Sequence, residues 1–389
     1  AFGDQAGFSV AGGGMSTVGG GTDIVIGAPG ADPGGRADAG AAYVVFDNPS
    51  LSGNVSLARI SNGLPDQVPG KAYFGAAAGD NLGFSTAFAG AVVQGQSPSG
   101  GTVLIGAPGA NGRKGTVIAP PDDPDTTPII VDAIGTTQPG FRIDGSQAGE
   151  QLGFAVADGG DVLADGVPDV LIGAPTSDVS SQRNVMSRTD AGRVIQTTQL
   201  IARGIYSADA VGTTIRGVIW IGDATGDQLG SAVAGVHDVT GDGYDDVALG
   251  APGVDPIIGG GPQSDAGALY LIDGSPLAGY LGSRSVADVG TVIAGQRLTG
   301  TQVGENAGSS IAGTGDLSGD GRNDFVVGAP NRDADSGTVY MVLRETSPAV
   351  GNCGPAGCRV ADLATGAEVD IPAGGLTTTV NIAVTGILD

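Results

Sequence analysis

The chain has 389 residues, of which 40% are hydrophobic, and a formal net charge of −24. That is enough apolar material for a packed core, while a surface this acidic repels phosphate backbones and anionic lipid heads, which argues against nucleic acid or a lipid surface as partner. No run of 18 apolar residues is present to cross a membrane as a helix.

Glycine (73 residues) and proline (22 residues) fall between runs rich in Val, Ile and Leu, the pattern of short strands joined by tight turns. In chain order, the first unit opens with "GDQAGFS" (3–9), runs through an apolar stretch ending in "IGAP" (26–29), and continues into "GAAYVVF" (40–46). The second unit has "GDNLGFS", "IGAP" and "GTVIAPP"; the third has "GEQLGFA", "IGAP" and "GRVIQTT". The fourth has "GDQLGSA", "LGAP" and "GALYLID", and the fifth "GENAGSS", "VGAP" and "GTVYMVL". The glycines of the middle mark stand at 27, 106, 173, 250 and 328, spaced by 79, 67, 77 and 78 residues. Three marks in fixed order are the signature of a repeat architecture.

Each unit is expected to hold four strands. One follows the Gly-Phe or Gly-Ser mark, one ends at Gly-Ala-Pro, one is the third mark, and a fourth precedes the next unit, as in "TTIRGVIWIGD" and "GTVIAGQRLTG". Proline after Gly-Ala cannot donate to a ladder and ends the second strand. No helical period is present. A four-stranded sheet of this size cannot bury both faces alone, whereas several packed radially can, which makes a β-propeller. Residues 1–389 are therefore expected to form one all-β propeller domain of five four-stranded antiparallel blades, with seven as the alternative count. The N-terminal "AFG" reads as the end of a fourth strand and "TTTVNIAVTGILD" as another, so the two terminal segments are expected to close the ring. The start, already inside a repeat, reads as that of a mature or trimmed product.

These marks resemble FG-GAP repeats, the blade sequence of integrin α-subunit propellers and of bacterial integrin-like surface proteins. The likeness covers the chain apart from insertions and roughly the last 45 residues. It departs from the family in its mark, here Gly-Phe or Gly-Ser, and in its count, since integrin-type propellers have seven blades. The resemblance implies a calcium loop between the first two strands of a blade and a role in adhesion.

The residues themselves point to the same loops. "DVTGDGYDD" crowds four aspartates into one turn, and carboxylates this close repel one another unless a cation lies between them. Counting from Asp238, the side chains of Asp238, Thr240, Asp242 and Asp246 and the carbonyl of Tyr244 offer oxygens at alternating positions, with Gly243 at the sharp turn. "DLSGDGRND" repeats this as Asp316, Ser318, Asp320, the Arg322 carbonyl and Asp324. "DVLADGVPD" offers Asp161, Asp165, the Val167 carbonyl and Asp169, with Leu163 unable to ligate. The expected cation is Ca²⁺, since Mg²⁺ demands stricter octahedral geometry. The competing reading of each loop is an Asx-turn held by its own backbone. The first unit keeps only Asp23 and the second has Thr102 there, so no cation is expected at either.

A second acidic set, Asp38, Asp190, Asp265 and Asp335, precedes the third strands and reads as capped turns, with extra ligand contacts as the sharper alternative. Cys353 and Cys358 in "CGPAGC" are spaced for a local disulfide, with a reduced pair as the alternative. The single histidine, His237, abuts the first acidic loop and is expected to position it, and Trp220, in "VIWIG", is expected in the core. No Gly-x-Ser-x-Gly elbow and no phosphate-cradling loop is present. The expected function is a secreted or cell-surface calcium-binding module that binds a protein or glycoconjugate ligand through variable loops, chiefly 176–191 and 253–266, without catalysis. Two alternatives stand beside it: a hydrolase or lyase acting on polysaccharides, and a purely structural module of a larger surface protein.

Overall fold

The structure is a computed structural model that describes residues 3–14, 22–48, 52–64, 66–90, 92, 101–120, 127–179, 187–198, 204–275 and 281–343, with backbone strands alone beyond residue 348. Strands dominate. In chain order they are β1 (Ser9–Gly13), β2 (Asp23–Ala28), β3 (Ala41–Val45), β4 (Gly70–Phe74), β5 (Ser85–Ala89), β6 (Thr102–Ala107), β7 (Thr116–Ala119), β8 (Ile129–Ile130), β9 (Phe141–Asp144) and β10 (Ala155–Gly160). There follow β11 (Asp169–Ala174), β12 (Arg193–Thr198), β13 (Gly204–Ser207), β14 (Gly217–Ile221), β15 (Ala232–His237), β16 (Asp246–Ala251), β17 (Ile257–Ile258), β18 (Gly261–Pro262), β19 (Ala268–Ile272), β20 (Gly282–Ser285) and β21 (Gly295–Thr299). The last are β22 (Ser310–Gly315), β23 (Asp324–Ala329), β24 (Thr338–Leu343), β25 (Ala349–Cys353), β26 (Cys358–Asp362), β27 (Ala367–Ile371) and β28 (Val380–Val384). Helical residues among those described are confined to 3₁₀ turns and two four-residue turns containing left-handed residues. None of them makes a helix long and apolar enough to cross a membrane.

Antiparallel strands run in the orders β1-β2-β3-β4, β5-β6-β7-β9, β10-β11-β12-β14 and β15-β16-β19-β21, and the first three of these sheets each carry a fifth, parallel strand (β8, β13 and β20) that the expectation of four-stranded antiparallel units did not include. A fifth sheet runs β22-β23-β24 and then continues into β26 and β27. First strands pack in series, β1 on β5, β5 on β10, β10 on β15 and β15 on β22. This is the architecture of a β-propeller. The core lies between consecutive sheets, because alternate residues of each strand face opposite neighbours. One cluster joins Leu104, Val117 and Phe141 of the second sheet to Val170, Ile172 and Ile195 of the third. Another joins Leu171, Val194 and Trp220 of the third to Val247, Leu249 and Tyr270 of the fourth.

The glycine of Gly-Ala-Pro is where neighbouring sheets come closest. A Cβ on Gly27, Gly106, Gly173 or Gly250 would lie 2.0–2.2 Å from the carbonyl oxygen of Gly83, Gly153, Gly230 or Gly308, the glycine in the next unit's opening mark. The glycine that opens the third mark forms another junction in the first four units. Gly40, Gly115, Gly192 and Gly267 bridge in parallel to Leu82, Leu152, Leu229 and Ala307. Gly192 has φ +79°, and a side chain there would meet Leu229 backbone at 2.2 Å. The marks that recur in the sequence are thus the two halves of each junction.

The two ends of the series are open among the described residues. Ile24 of β2 is 44% exposed, whereas Val103, Val170, Val247 and Phe325 at the same strand position are 0–1% exposed. At the other end Val339 of β24 is 56% exposed, against 0–3% for Ala42, Val117, Val194 and Leu269.

Candidate metal centre

The three acidic loops connect β10 to β11, β15 to β16 and β22 to β23. Each leaves its first strand through a register shift, between Asp158 and Gly160, Gly235 and His237, and Gly313 and Gly315. The last residue of each bulge is left-handed. Gly160 and Gly315 fill that place at no steric cost, whereas His237 holds φ +56° with a side chain. His237 Nδ1 lies 3.4 Å from Asp245 Oδ1, which ties the histidine to the far end of its own loop.

Inside the loops the same hydrogen bonds recur. The first-position carboxylate accepts from backbone N–H groups three to five residues on: Asp238 from Gly241, Asp242 and Gly243, Asp316 from Gly319, Asp320 and Gly321, and Asp161 from Asp165 and Gly166. The fifth-position carboxylates accept from Tyr244, Arg322 and Val167. The ninth-position carboxylates are fully buried. Asp246 accepts from Val239, Thr240 and Gly274, Asp324 from Ser318, and Asp169 from Leu163 and the Gln196 amide. Backbone N–H groups thus curl each loop around its acids, the Asx-turn geometry.

Burial pushes the Asp246 carboxyl up to about 6, against the pull of the Gly274, Thr240 and Val239 N–H groups. It pushes Asp169 up to about 7, with Gln196 opposing and the charges of Asp165 and Asp161 adding to the rise. Thr240 Oγ1, Ser318 Oγ and Asp169 Oδ1 in these loops are buried without a hydrogen-bond partner. The first two occupy the third position of their loops. A buried oxygen left unpaired is costly, and a hard cation is the species that all-oxygen positions of this kind suit. Among the described residues no three His, Cys, Asp or Glu side chains stand gathered around one point as a metal cluster. The carboxylates are held on backbone N–H groups instead.

The third-unit loop differs from the other two. Leu163 is buried, and Asp165 accepts from Thr198 and pairs with Arg216 at 3.3 Å, so a guanidinium already balances part of its charge. Behind it, Trp220 is buried and donates to Gln196, which donates to Asp169. The sequence placed Trp220 in the core; the chain of bonds from it to the loop required the pairing of β11, β12 and β14.

The loops are contiguous. Asp161 N–H donates to Asp245 Oδ2, and Asn323 N–H donates to the Asp238 carbonyl, so the third, fourth and fifth units touch along one rim. In the first unit Asp23 is buried and accepts from Asp47 N–H, and in the second Thr102 is buried; most residues before them lie outside the described residues. The second acidic set takes the turn reading. Asp38, Asp190, Asp265 and Asp335 are all left-handed, and the first three donate their N–H to Asp32, Asp178 and Asp255. The side chains of Cys353 and Cys358 lie outside the described residues.

A row of aromatic rings was not foreseen as a unit. Phe8, Phe84 and Phe154, each from an opening mark, pack in tilted contacts with ring centroids 4.9 Å apart at both steps. Their signal was the recurrent Gly-Phe, which Ser231 and Ser309 replace in the last two units.

A model of the FG-GAP repeat matches residues 229–272 and 307–341, segments that contain the whole loops 238–246 and 316–324. Integrin alpha-PS2 of Drosophila melanogaster is 32% identical over 212 residues, covering 53% of this chain and 14% of that protein. Integrin alpha-5 of Xenopus laevis is 30% identical over 49% of this chain, and integrin alpha-M of Mus musculus 31% identical over 50%. The chain spans only 14–16% of the length of these relatives. It carries FG-GAP repeats and is similar, over about half its length, to integrin alpha subunits.

Proposed function

We propose that the chain is a non-catalytic, calcium-binding ligand-recognition module of adhesion type, working outside the cell or at its surface. The observation that carries this reading is the row of acidic loops with unpaired buried oxygens on one rim. Asp238, Thr240, Asp242, the Tyr244 carbonyl and Asp246 would hold one Ca²⁺. Asp316, Ser318, Asp320, the Arg322 carbonyl and Asp324 would hold a second, and Asp161, Asp165, the Val167 carbonyl and Asp169 a third. When bound, the ion supplies positive charge that offsets the repulsion among these carboxylates. The chain's part is to curl each loop on its N–H groups and to anchor it through the buried ninth aspartate. The similarity to integrins supports the adhesion role. The partner is a protein or glycoconjugate bound by the long loops 176–191 and 253–266. The first of these loops borders a cleft of about 630 Å³ lined by Asp178, Arg188, Arg193 and Asp209.

We also take the chain as one domain whose terminal segments bring together the open faces at Ile24 and Val339.

Calorimetric titration of the chelated protein with CaCl₂ tests the metal reading. Three sites are expected, of which Asp246→Ala and Asp324→Ala should each remove one, and no heat from the unaltered protein would overturn it. For the partner, shortening 253–266 should abolish attachment to matrix glycoproteins while calcium binding persists. Turnover of an acidic polysaccharide, lost on replacing carboxylates outside the three loops, would favour the enzyme alternative.

A further inference from the structure

Interior junctions carry a second device beyond the packed strands. The connection from third to fourth strand reaches back and adds a parallel strand to the outer edge of the preceding sheet: β8 on β4, β13 on β9 and β20 on β14. A 3₁₀ turn follows each added strand, at Val131–Ala133, Ala208–Ala210 and Val286–Asp288. It drives aliphatic side chains into the junction: Val131 and Ile134 into one cluster, Ala208, Val211 and Ile215 into the next, and Val286, Val289 and Ile293 into the third.

Among the described residues no such added strand is paired to the fourth sheet. Among the described residues β21 is the outer edge of its sheet, and the cluster between the fourth and fifth sheets contains no residue from such a connection. The effect on β21 shows position by position. Leu298 is half-buried, where Tyr73, Ile143 and Trp220 in the equivalent places are 0–1% exposed. Arg297 is exposed where Ala72, Arg142 and Ile219 are buried. Gln296 Oε1 is buried with no hydrogen-bond partner. An open strand edge is a template for another strand.

We propose that the edge of β21 is a strand-docking surface and that its occupant is the chain's own segment Cys358–Asp362, which the structure holds on β24 as β26. The sequence names the occupant. The strand and turn that cap β14 read "GSRSVAD" (282–288), and residues 357–362 read "GCRVAD", one residue shorter with the same arginine and the same Val-Ala-Asp. Both segments follow the third strand of their sheet. Strand sense agrees as well: β26 runs parallel to β24, as the caps run to their hosts, whereas the fourth strands β4, β9, β14 and β21 are antiparallel to their neighbours. In strand sense the segment matches the caps rather than the fourth strands. Register follows from the β14 cap, where Arg284 lies opposite Trp220. Arg359 then takes the place opposite Leu298, and Cys358 the place opposite Arg297. On β24, Cys358 falls opposite Val339, one step before the Tyr340–Arg359 pair.

Two cysteine variants separate these states, each made with Cys353→Ser and oxidised by copper phenanthroline. Arg297→Cys should cross-link to Cys358 within one chain, and Val339→Cys should not. Cross-linking of Val339→Cys alone, of neither variant, or only between two chains would overturn the proposal. Arg297 is exposed, and Val339→Cys exchanges one small side chain for another at the end face, so folding should survive the changes. Amide hydrogen exchange on the unaltered chain supplies a second reading: Gly295–Thr299 should be protected to the degree of Gly217–Ile221, and fast exchange along β21 would overturn the assignment.

Discussion

The first two sheets and the last three share one scaffold and differ in what joins their first two strands. Val25, Leu104, Leu171 and Ala248, at one position of the second strand, are all 0–1% exposed, with or without an acidic loop beside them. The ninth position is buried in every unit, as Asp23, Thr102, Asp169, Asp246 and Asp324. Only the last three units surround that residue with further carboxylates. Strand packing and the close backbone contacts at glycine therefore make the scaffold, and the acidic loops are an addition to its rim.

The largest expected effect lies in the shared part. Gly192→Val places a side chain on a left-handed residue and 2.2 Å from Leu229 backbone. It should cost more than about 4 kcal/mol or abolish cooperative unfolding in urea. Gly226→Ala, also left-handed at φ +84° but facing open space, should cost about 1 kcal/mol. Equal costs would break the claim that junction contacts, rather than glycine's freedom alone, set the packing.

Next in size is the part that differs. At 100 times its dissociation constant each bound ion adds about 2.7 kcal/mol, so chelation should lower the melting temperature by several degrees. Hydrogen exchange should then quicken at 161–169, 238–246 and 316–324 while β1–β9 stay unchanged. Loosening spread over all five sheets would erase the distinction between scaffold and rim.

A smaller effect tests the ends. Closure of the ring over Ile24 predicts that Ile24→Ala costs about 2 kcal/mol or more, as in a core. A cost below about 0.5 kcal/mol, the surface range, would mean that the end face stays open.

The smallest concerns the junction acids. Burial raises the Asp227 carboxyl above its ordinary 3.8, against the N–H groups of Ala224 and Asp223. The folded state therefore holds this proton more tightly than the unfolded chain. Its contribution favours folding at low pH and is lost as pH rises from 3.8 through the folded value. Asp227→Asn should flatten that slope in melts taken between acid and neutral pH, and an unchanged slope would place its origin elsewhere.

The place of the acidic loops between first and second strands was legible in the sequence. The spacing of Asp238, Thr240, Asp242 and Asp246 placed a loop between two strands, and β15 and β16 flank it there. Asp169 and Asp246 could be named as acids but not as groups titrating at about 7 and 6, because that depends on burial by residues distant in sequence. Arg216 beside Asp165 was equally hidden, since the two are brought together by strands that the sequence does not order. The parallel caps were missed although "DAIGTT", "DAVGTT" and "DVGTV" repeat in the connections. A strand of two to four residues has too short a hydrophobic pattern to be recognised without its host.

By itself the sequence determined the repeat, the ends of the second strands at Gly-Ala-Pro and the acidic turns. Glycine, proline and alternating aliphatic residues act over a few neighbours, and their effects are local. Tertiary structure decided which glycine approaches which backbone, which carboxylates are buried, and which sheet edge is capped. Those outcomes depend on side chains dozens of residues apart sharing one interface, and on strand registers that only the packed sheets fix.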